Sequence, residues 1–249
     1  MAETKKALSK RTRVVVAVAI VLIAIVTIAT IGWQWAQPSS SSPMSISVYP
    51  TSDSATASDS TQSASLAASL LSGAPPTLGS ANAPVTIVEF GDYQCPTCGG
   101  WYRTQEAQLI QNLVNTGKAK LVWRDFDYYG PDSVSASEAA YAAGEQGKFW
   151  EFHDLLFQNQ QTPNGGWASR QNMESFARKL GLNMTQFDQD FNSGKYDALI
   201  DSNHSLGVQA GVSETPTFYL IGPNGKMVTI AGGQPESVFE QAVSSLTGG

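Results

Sequence analysis

The sequence is poor in cysteine and histidine, with only two of each among 249 residues. The cysteines, Cys95 and Cys98, stand three positions apart in a C-P-T-C segment, so they cannot tie distant segments together as a framework of structural disulfides does. The histidines, His153 and His204, are distant from them in the chain, and nothing places a second pair of zinc ligands beside the thiols. We therefore expect no metal site, and the role of the cysteines is local.

Basic residues are scarce outside the N-terminus. Five of the 15 Lys and Arg residues precede Val14, together with a single acid, Glu3. The rest of the chain holds the remaining 10 basic and 20 acidic residues, a net charge of −10. A body this acidic repels phosphate backbones, which argues against nucleic-acid binding.

Residues 14–35 form the longest apolar segment. Between residues 14 and 31 the only polar side chains are Thr27 and Thr30, and a helix of roughly 20 such residues crosses the hydrocarbon core of a bilayer. The basic residues lie within the tail 1–13, and no charge follows the segment until Asp53. The positive-inside rule predicts a single-pass anchor with a cytoplasmic N-terminus. A cleaved signal peptide is the alternative, although its apolar part is usually about 7–15 residues; either interpretation exports the domain.

Residues 36–77 are dominated by Ser, Thr, Ala and Pro. Large apolar side chains are too few to offset chain entropy, so we expect a flexible linker, in which residues 66–71 allow a short helix. The folded domain is then expected at residues 78–249.

The pattern of that domain is α/β. Residues 85–90 and 119–126 are predicted as strands that flank a helix over residues 95–116, a βαβ unit with parallel strands. A helical stretch follows at about 133–211. A hairpin of strands 217–221 and 227–231, and a final helix from residue 235 to about residue 246, complete the domain.

The two cysteines are predicted to lie at the start of the helix that follows the first strand. There the unpaired N–H groups and the helix dipole stabilise a Cys95 thiolate, lowering the thiol pKa from about 8.5 toward about 3.5–7. Pro96 suits the first helical turn, because its missing N–H would have had no partner. A redox pair is favoured over an inert disulfide or half of a zinc site.

Three segments, 85–98 (VTIVEFGDYQCPTC), 147–159 (GKFWEFHDLLFQN) and 206–220 (LGVQAGVSETPTFYL), together resemble the DsbA-like thiol–disulfide oxidoreductases of the thioredoxin superfamily, especially membrane-anchored ones. The resemblance spans about residues 83–246. It implies a thioredoxin-like fold with a helical insertion between its βαβ and ββα halves, here preceded by an N-terminal transmembrane helix.

The resemblance also implies residue roles. Cys95 is the nucleophile and Cys98 the resolving cysteine of a redox-active disulfide, with no other cofactor. Pro216 is the cis-proline facing that disulfide, Thr215 offers backbone hydrogen bonds to substrate, and Glu89 exchanges a proton with the resolving cysteine.

Two positions depart from relatives. In the dipeptide Pro96-Thr97, Thr97 stands where the best-known oxidase has His, so one contribution to thiolate stabilisation is missing. Glu214 replaces a frequent Gly, and its negative charge near Cys95 would raise the thiol pKa.

The sequence therefore predicts an enzyme on the outer side of the cell membrane. Exported protein thiols are its expected substrates, and a quinone-linked membrane oxidoreductase is its implied redox partner. An oxidase is the main hypothesis. A disulfide isomerase or reductase is the enzymatic alternative, and a tethered peptide-binding module without redox turnover is the non-enzymatic one.

Overall fold

The computed structural model describes residues 46–48 and 57–248. The predicted tail 1–13 and anchor 14–35 lie outside these residues. Within the described part of the chain, no helix is both long and apolar enough to cross a membrane.

Six strands and eight longer helices make up the described domain. The strands are β1 (Ile46–Val48), β2 (Thr77–Leu78), β3 (Val85–Gly91), β4 (Ala119–Asp125), β5 (Thr217–Ile221) and β6 (Met227–Ala231). The helices are α1 (Ala57–Leu70), α2 (residues 96–114), α3 (Pro131–Gly144), α4 (Phe149–Gln158), α5 (Arg170–Lys179), α6 (Met184–Phe191), α7 (Asp197–Ala210) and α8 (Glu236–Thr247), with a short 3₁₀ turn at Pro223–Gly225.

The strands form one mixed sheet in the order β1-β6-β5-β3-β4-β2. β3 and β4 are parallel, and the other neighbouring pairs are antiparallel. The predicted βαβ unit and hairpin are confirmed, and the helical insertion α3–α7 separates them. The long helix α2 alternates between α-helical turns and two π-helical stretches, Tyr102–Glu106 and Ile110–Val114.

The central strand β3 is buried along its whole length. Because side chains alternate across a strand, its residues divide between two layers of core. Val85 and Ile87 pack in the cluster that contains α2 and α8, whereas Val88 and Phe90 pack in the cluster that contains α1. The strand parity places Glu89 on the face of Val85 and Ile87.

The predicted linker 36–77 is wrong for its described part. β1 pairs with β6, and α1 packs against the sheet through Ala67 and the fully buried Leu70. The carbonyl oxygens that end this helix, those of Leu70 and Ser72, accept hydrogen bonds from the buried Arg124 of β4. The small and polar residues of this segment gave no signal for the full helix. It is stabilised by a few buried side chains and by the guanidinium of Arg124, which is distant in the sequence.

Two adjacent leucines, Leu70 and Leu71, test whether α1 belongs to the folded domain. Leu70→Ala is expected to lower the free energy of unfolding by roughly 2–5 kcal/mol, because it leaves a cavity beneath α1. Leu71→Ala is the matched control, since Leu71 is 41% exposed. Urea unfolding of both variants measures the difference, and equal stabilities would show that α1 does not belong to the folded domain.

Candidate active site

The two cysteines lie at the turn between β3 and α2. Cys95 is the N-cap of α2, with φ −67° and ψ 119°, and Pro96 is the first helical residue. The backbone N–H of Cys98 donates to Cys95 Sγ over 3.5 Å. The sulfur thus occupies the position of a capping side chain, where the free N–H groups of a helix favour negative charge.

Asp92 fixes the turn that leads to Cys95. Its fully buried carboxylate accepts hydrogen bonds from the backbone N–H of Gln94 (2.7 Å), Tyr128 (2.7 Å) and Tyr129 (3.0 Å) and from the hydroxyl of Ser133 (2.9 Å). Burial raises the pKa of Asp92, and these four hydrogen bonds oppose that rise. One side chain therefore joins the catalytic turn to the loop after β4.

Gln160, in the loop after α4, holds the same turn from the helical insertion. Its Nε2 donates to the carbonyl oxygens of Tyr93 and Cys95, each over 2.8 Å. Gly99 leaves room for this contact, since a Cβ atom there would lie 1.9 Å from Gln160 Oε1.

The loop before β5 approaches the turn from the opposite half of the fold. The Thr215–Pro216 peptide bond is cis, as the resemblance implied. The Cys95 thiol donates to the Thr215 carbonyl over 3.3 Å, which brings residues 120 positions apart into direct contact.

Cys95 is only 4% exposed, more buried than its predicted position at a helix tip suggested. It is nevertheless reached through a cleft of about 250 Å³, lined by Cys95, Thr97, Phe126, Tyr128, Tyr129, Ser213, Glu214 and Thr215. The cleft gives a substrate sulfur a route to this thiol.

The pKa of the Cys95 thiol is lowered to about 6. The main cause is a hydrogen bond from the Cys98 thiol. The Thr215 side chain and the backbone N–H groups of Cys98 and Thr97 lower the pKa further, while burial opposes them. Thr97 thus stabilises the thiolate through its backbone, although its side chain differs from the histidine of the best-known oxidase.

Cys98 behaves in the opposite way. It is fully buried, and burial is the main cause that raises its pKa well above the usual value, followed by its hydrogen bond to Cys95 and the charges of Cys95 and Glu89. Both cysteines are free thiols in this structure. One sulfur therefore favours the thiolate and its neighbour favours the thiol.

Glu89 lies in the middle of β3, opposite Trp123 on β4 and Phe218 on β5. Burial raises its pKa well above the usual value, and the charges of Glu106 and Cys95 add to that rise. Its Oε2 is buried without a hydrogen-bond partner in the described structure. A carboxyl group with a raised pKa near the thiols suits the predicted proton exchange, which stays a prediction.

Two further buried polar residues, Glu106 and His153, were missed as parts of this region. Glu106 of α2 lies 3.5 Å from His153 of α4, measured from Oε1 to Nε2, and Tyr93 Oη lies 3.2 Å from His153 Nδ1. His153 packs among aromatic side chains such as Trp123 and Phe157, and the acid beside it was not predicted. Glu106 stands three and seven positions before the buried Leu109 and Leu113, and an acid at this helical spacing is the signal that could have drawn attention to it.

Comparison with known proteins agrees with this geometry. The family model described as Thioredoxin matches residues 71–231. The probable disulfide bond formation protein D of Bacillus cereus is 30% identical over 149 residues, which cover 58% of this chain and 69% of that protein.

Two solved structures are similar over most of their length. A thioredoxin-like oxidoreductase from Silicibacter pomeroyi superposes with a TM-score of 0.62 at 27% identity, covering 73% of this chain and 98% of that chain. Oxidised BdbD from Bacillus subtilis gives a TM-score of 0.63 at 22% identity, covering 70% of this chain and 94% of that chain.

A thioredoxin-like sheet that presents two cysteines at a helix N-terminus beside a cis-proline loop defines a thiol–disulfide oxidoreductase. The chain is an enzyme of this class. It belongs to the thioredoxin family, and it is similar to the disulfide bond formation proteins D.

Adjacent glycines in α2 test the contact with Gln160. Gly99→Ala is expected to displace the Gln160 amide and to lower stability by about 1–3 kcal/mol, because the Tyr93 and Cys95 carbonyls lose a donor. Gly100→Ala is the matched control, since its Cβ would meet no atom within 4 Å. Alanine in this helix is expected to stabilise the control by up to about 1 kcal/mol. Thermal unfolding of both variants distinguishes the two effects, and an equal gain in both would contradict this role of Gln160.

The Cys95 pKa predicts a pH dependence of stability. Since its folded value of about 6 lies below the unfolded value of roughly 8.5, the reduced form gains stability as the pH rises from about 6 to about 8.5. That gain is lost as the pH falls through about 6. The oxidised form lacks this titration. The unfolding free energy of the reduced form, measured in urea, should therefore increase relative to that of the oxidised form over this pH window. The raised pKa of Cys98 acts above the window, and a difference that stays constant would rule out a stabilised thiolate.

Proposed function

We propose that this enzyme is an extracytoplasmic dithiol oxidase, which forms disulfides in exported proteins by means of a Cys95–Cys98 disulfide. The observation that carries the proposal is the contrast between the two thiols, because the pKa of Cys95 is lowered to about 6 while that of the buried Cys98 is raised. A stabilised Cys95 thiolate favours the reduced enzyme, so the disulfide tends to oxidise other thiols.

The first step is attack on Cys95. A substrate thiolate enters the cleft and forms a bond with Cys95 Sγ, while the Cys95–Cys98 bond breaks and its electron pair leaves on Cys98 Sγ. Because Cys98 is buried and its pKa is raised, its thiolate takes up a proton. Glu89, whose pKa is raised by burial, is the proposed donor of that proton.

The second step releases the product. Another thiolate of the substrate attacks the substrate sulfur of the mixed disulfide, and Cys95 leaves as the stabilised thiolate. The substrate has then lost two electrons and gained a disulfide, while the enzyme carries the reduced pair. The Cys95–Cys98 disulfide is itself the oxidant, so the proposed reaction requires no further cofactor.

The loop of Thr215 and Pro216 is the proposed docking edge for substrate. Its contact with Cys95, 3.3 Å from Sγ to the Thr215 carbonyl oxygen, supports this role, since backbone groups there lie within reach of a chain bound at the thiol. The loop thereby presents the substrate cysteine to the enzyme sulfur.

The proposed location is the outer side of a cell membrane, with residues 14–35 as a single-pass anchor and residues 1–13 in the cytoplasm. Support comes from the length of the apolar segment and from the basic residues that precede it. A membrane oxidoreductase linked to quinone is the proposed acceptor of the two electrons. Disulfides persist in that compartment, which suits net oxidation.

The reduction potential of the Cys95–Cys98 pair tests the proposal. Equilibration of the domain with glutathione should give a potential well above the roughly −270 mV of thioredoxin. A potential at or below that value would assign the enzyme as a reductase, and efficient repair of scrambled disulfides would assign it as an isomerase.

Two serine variants complete this test. Cys95→Ser is expected to abolish oxidation of a reduced protein substrate. Cys98→Ser should accumulate a mixed disulfide with a disulfide-bonded protein, because Cys95 attacks that disulfide and the resolving thiol is missing. Full function of the Cys95→Ser variant would instead support a peptide-binding module without redox turnover.

A further inference from the structure

The cleft beside Cys95 combines one exposed and one half-buried tyrosine ring with a carboxylate. Tyr128 is 72% exposed and contacts Tyr129 edge to face, with ring centroids 5.7 Å apart. These two rings come from the loop after β4, whereas Glu214 comes from the loop before β5, and all three line the same cleft.

The loop that carries Tyr128 and Tyr129, here called the aromatic loop, is fixed by hydrogen bonds to Asp92. Asp92 binds the backbone N–H groups of both Tyr128 and Tyr129, over 2.7 and 3.0 Å. The Tyr128 side chain therefore remains in solvent while its backbone is fixed to the catalytic turn. A ring this exposed contributes little buried apolar area to the stability of the fold, and it is available to contact a ligand.

The charge of the cleft has one sign. Among the described residues that line it, Glu214 is the only one with a side chain that is normally ionised at neutral pH, apart from Cys95 itself. The chain beyond residue 13 is also strongly acidic. An aromatic face next to a carboxylate is the environment that attracts Lys and Arg side chains, through cation–π and ionic contacts.

We propose that Glu214, Tyr128 and Tyr129 form a subsite for a cationic side chain, so that the enzyme selects polypeptide substrates with Lys or Arg adjacent to the reacting cysteine. This inference rests on the proposed function, because it requires substrate to enter at Cys95. It gives a role to Glu214, which stands where relatives frequently carry Gly. In this role Glu214 sets specificity and takes no part in sulfur exchange.

Single-cysteine peptides test the subsite. Oxidised enzyme is mixed with peptides whose cysteine is flanked by Lys, Phe, Ser or Glu, and the rate of mixed-disulfide formation is measured. Each rate is divided by the rate of the same peptide with a small aromatic disulfide, which removes differences in intrinsic thiol reactivity. The Lys peptide is expected to exceed the Glu peptide by roughly 3- to 30-fold, from one cation–π and one ionic contact. The ratio should fall at high salt, because the subsite is open to solvent.

Matched variants separate the contributions. Glu214→Gln keeps the shape of the side chain and should reduce the Lys preference several-fold, and Tyr128→Leu should reduce it further. Glu240→Gln is the control, since Glu240 on α8 lies outside the cleft and should leave the preference unchanged.

The outcomes distinguish the two proposals. Failure of every peptide to react would overturn the proposed function itself. Reaction with an unchanged Lys-to-Glu ratio in Glu214→Gln would overturn the subsite alone. A preference for Phe over Lys that does not depend on Glu214 would also overturn it, since the cleft would then be a plain apolar groove.

Discussion

The stabilisation of negative charge on one sulfur is the constraint on which the rest of this structure depends. Cys95 acts as the cap of α2, and its pKa falls to about 6, while Cys98 one turn further on is buried and its pKa rises. Two chemically identical groups are thus made different by a separation of one helical turn. The fold maintains that difference by holding the turn from the insertion through Gln160 and from the second half of the domain through Thr215.

Beneath the thiols lies a set of buried acids that a stability argument alone does not explain. Glu89 and Glu106 are each 2% exposed, and the charge of Glu106 is felt at Glu89. His153 gives Glu106 its nearest basic neighbour, at 3.5 Å. Since unpaired buried carboxylates are costly, such a cluster is more typical of a functional site than of a packing core. It extends the active region from the sheet into the insertion.

Much of this arrangement could be predicted from the sequence, because the decisive signals are local. The strands Thr217–Ile221 and Met227–Ala231 agree with their predicted ranges, since an apolar, β-branched pattern flanks a Gly-Pro-Asn-Gly turn. The position of Cys95 followed from its place between a strand and a helix. Helix α1 was expected only as a short helix at residues 66–71 within a flexible linker, because its anchors, Leu70 and Arg124, are 54 positions apart. The Glu106–His153 contact was missed for the same reason, because it joins helix α2 of the βαβ unit to helix α4 of the helical insertion.

The carboxylate of Asp92 has a consequence for how this domain tolerates change. Its hydrogen bonds join the backbone of Tyr128 and Tyr129 to the turn that leads to Cys95. The position of this loop relative to the Cys95 sulfur is therefore fixed. Insertions or deletions in the loop after β4 cannot be absorbed there without moving the sulfur. Substitution of side chains in this loop can therefore change substrate preference more readily than a change in the length of the loop.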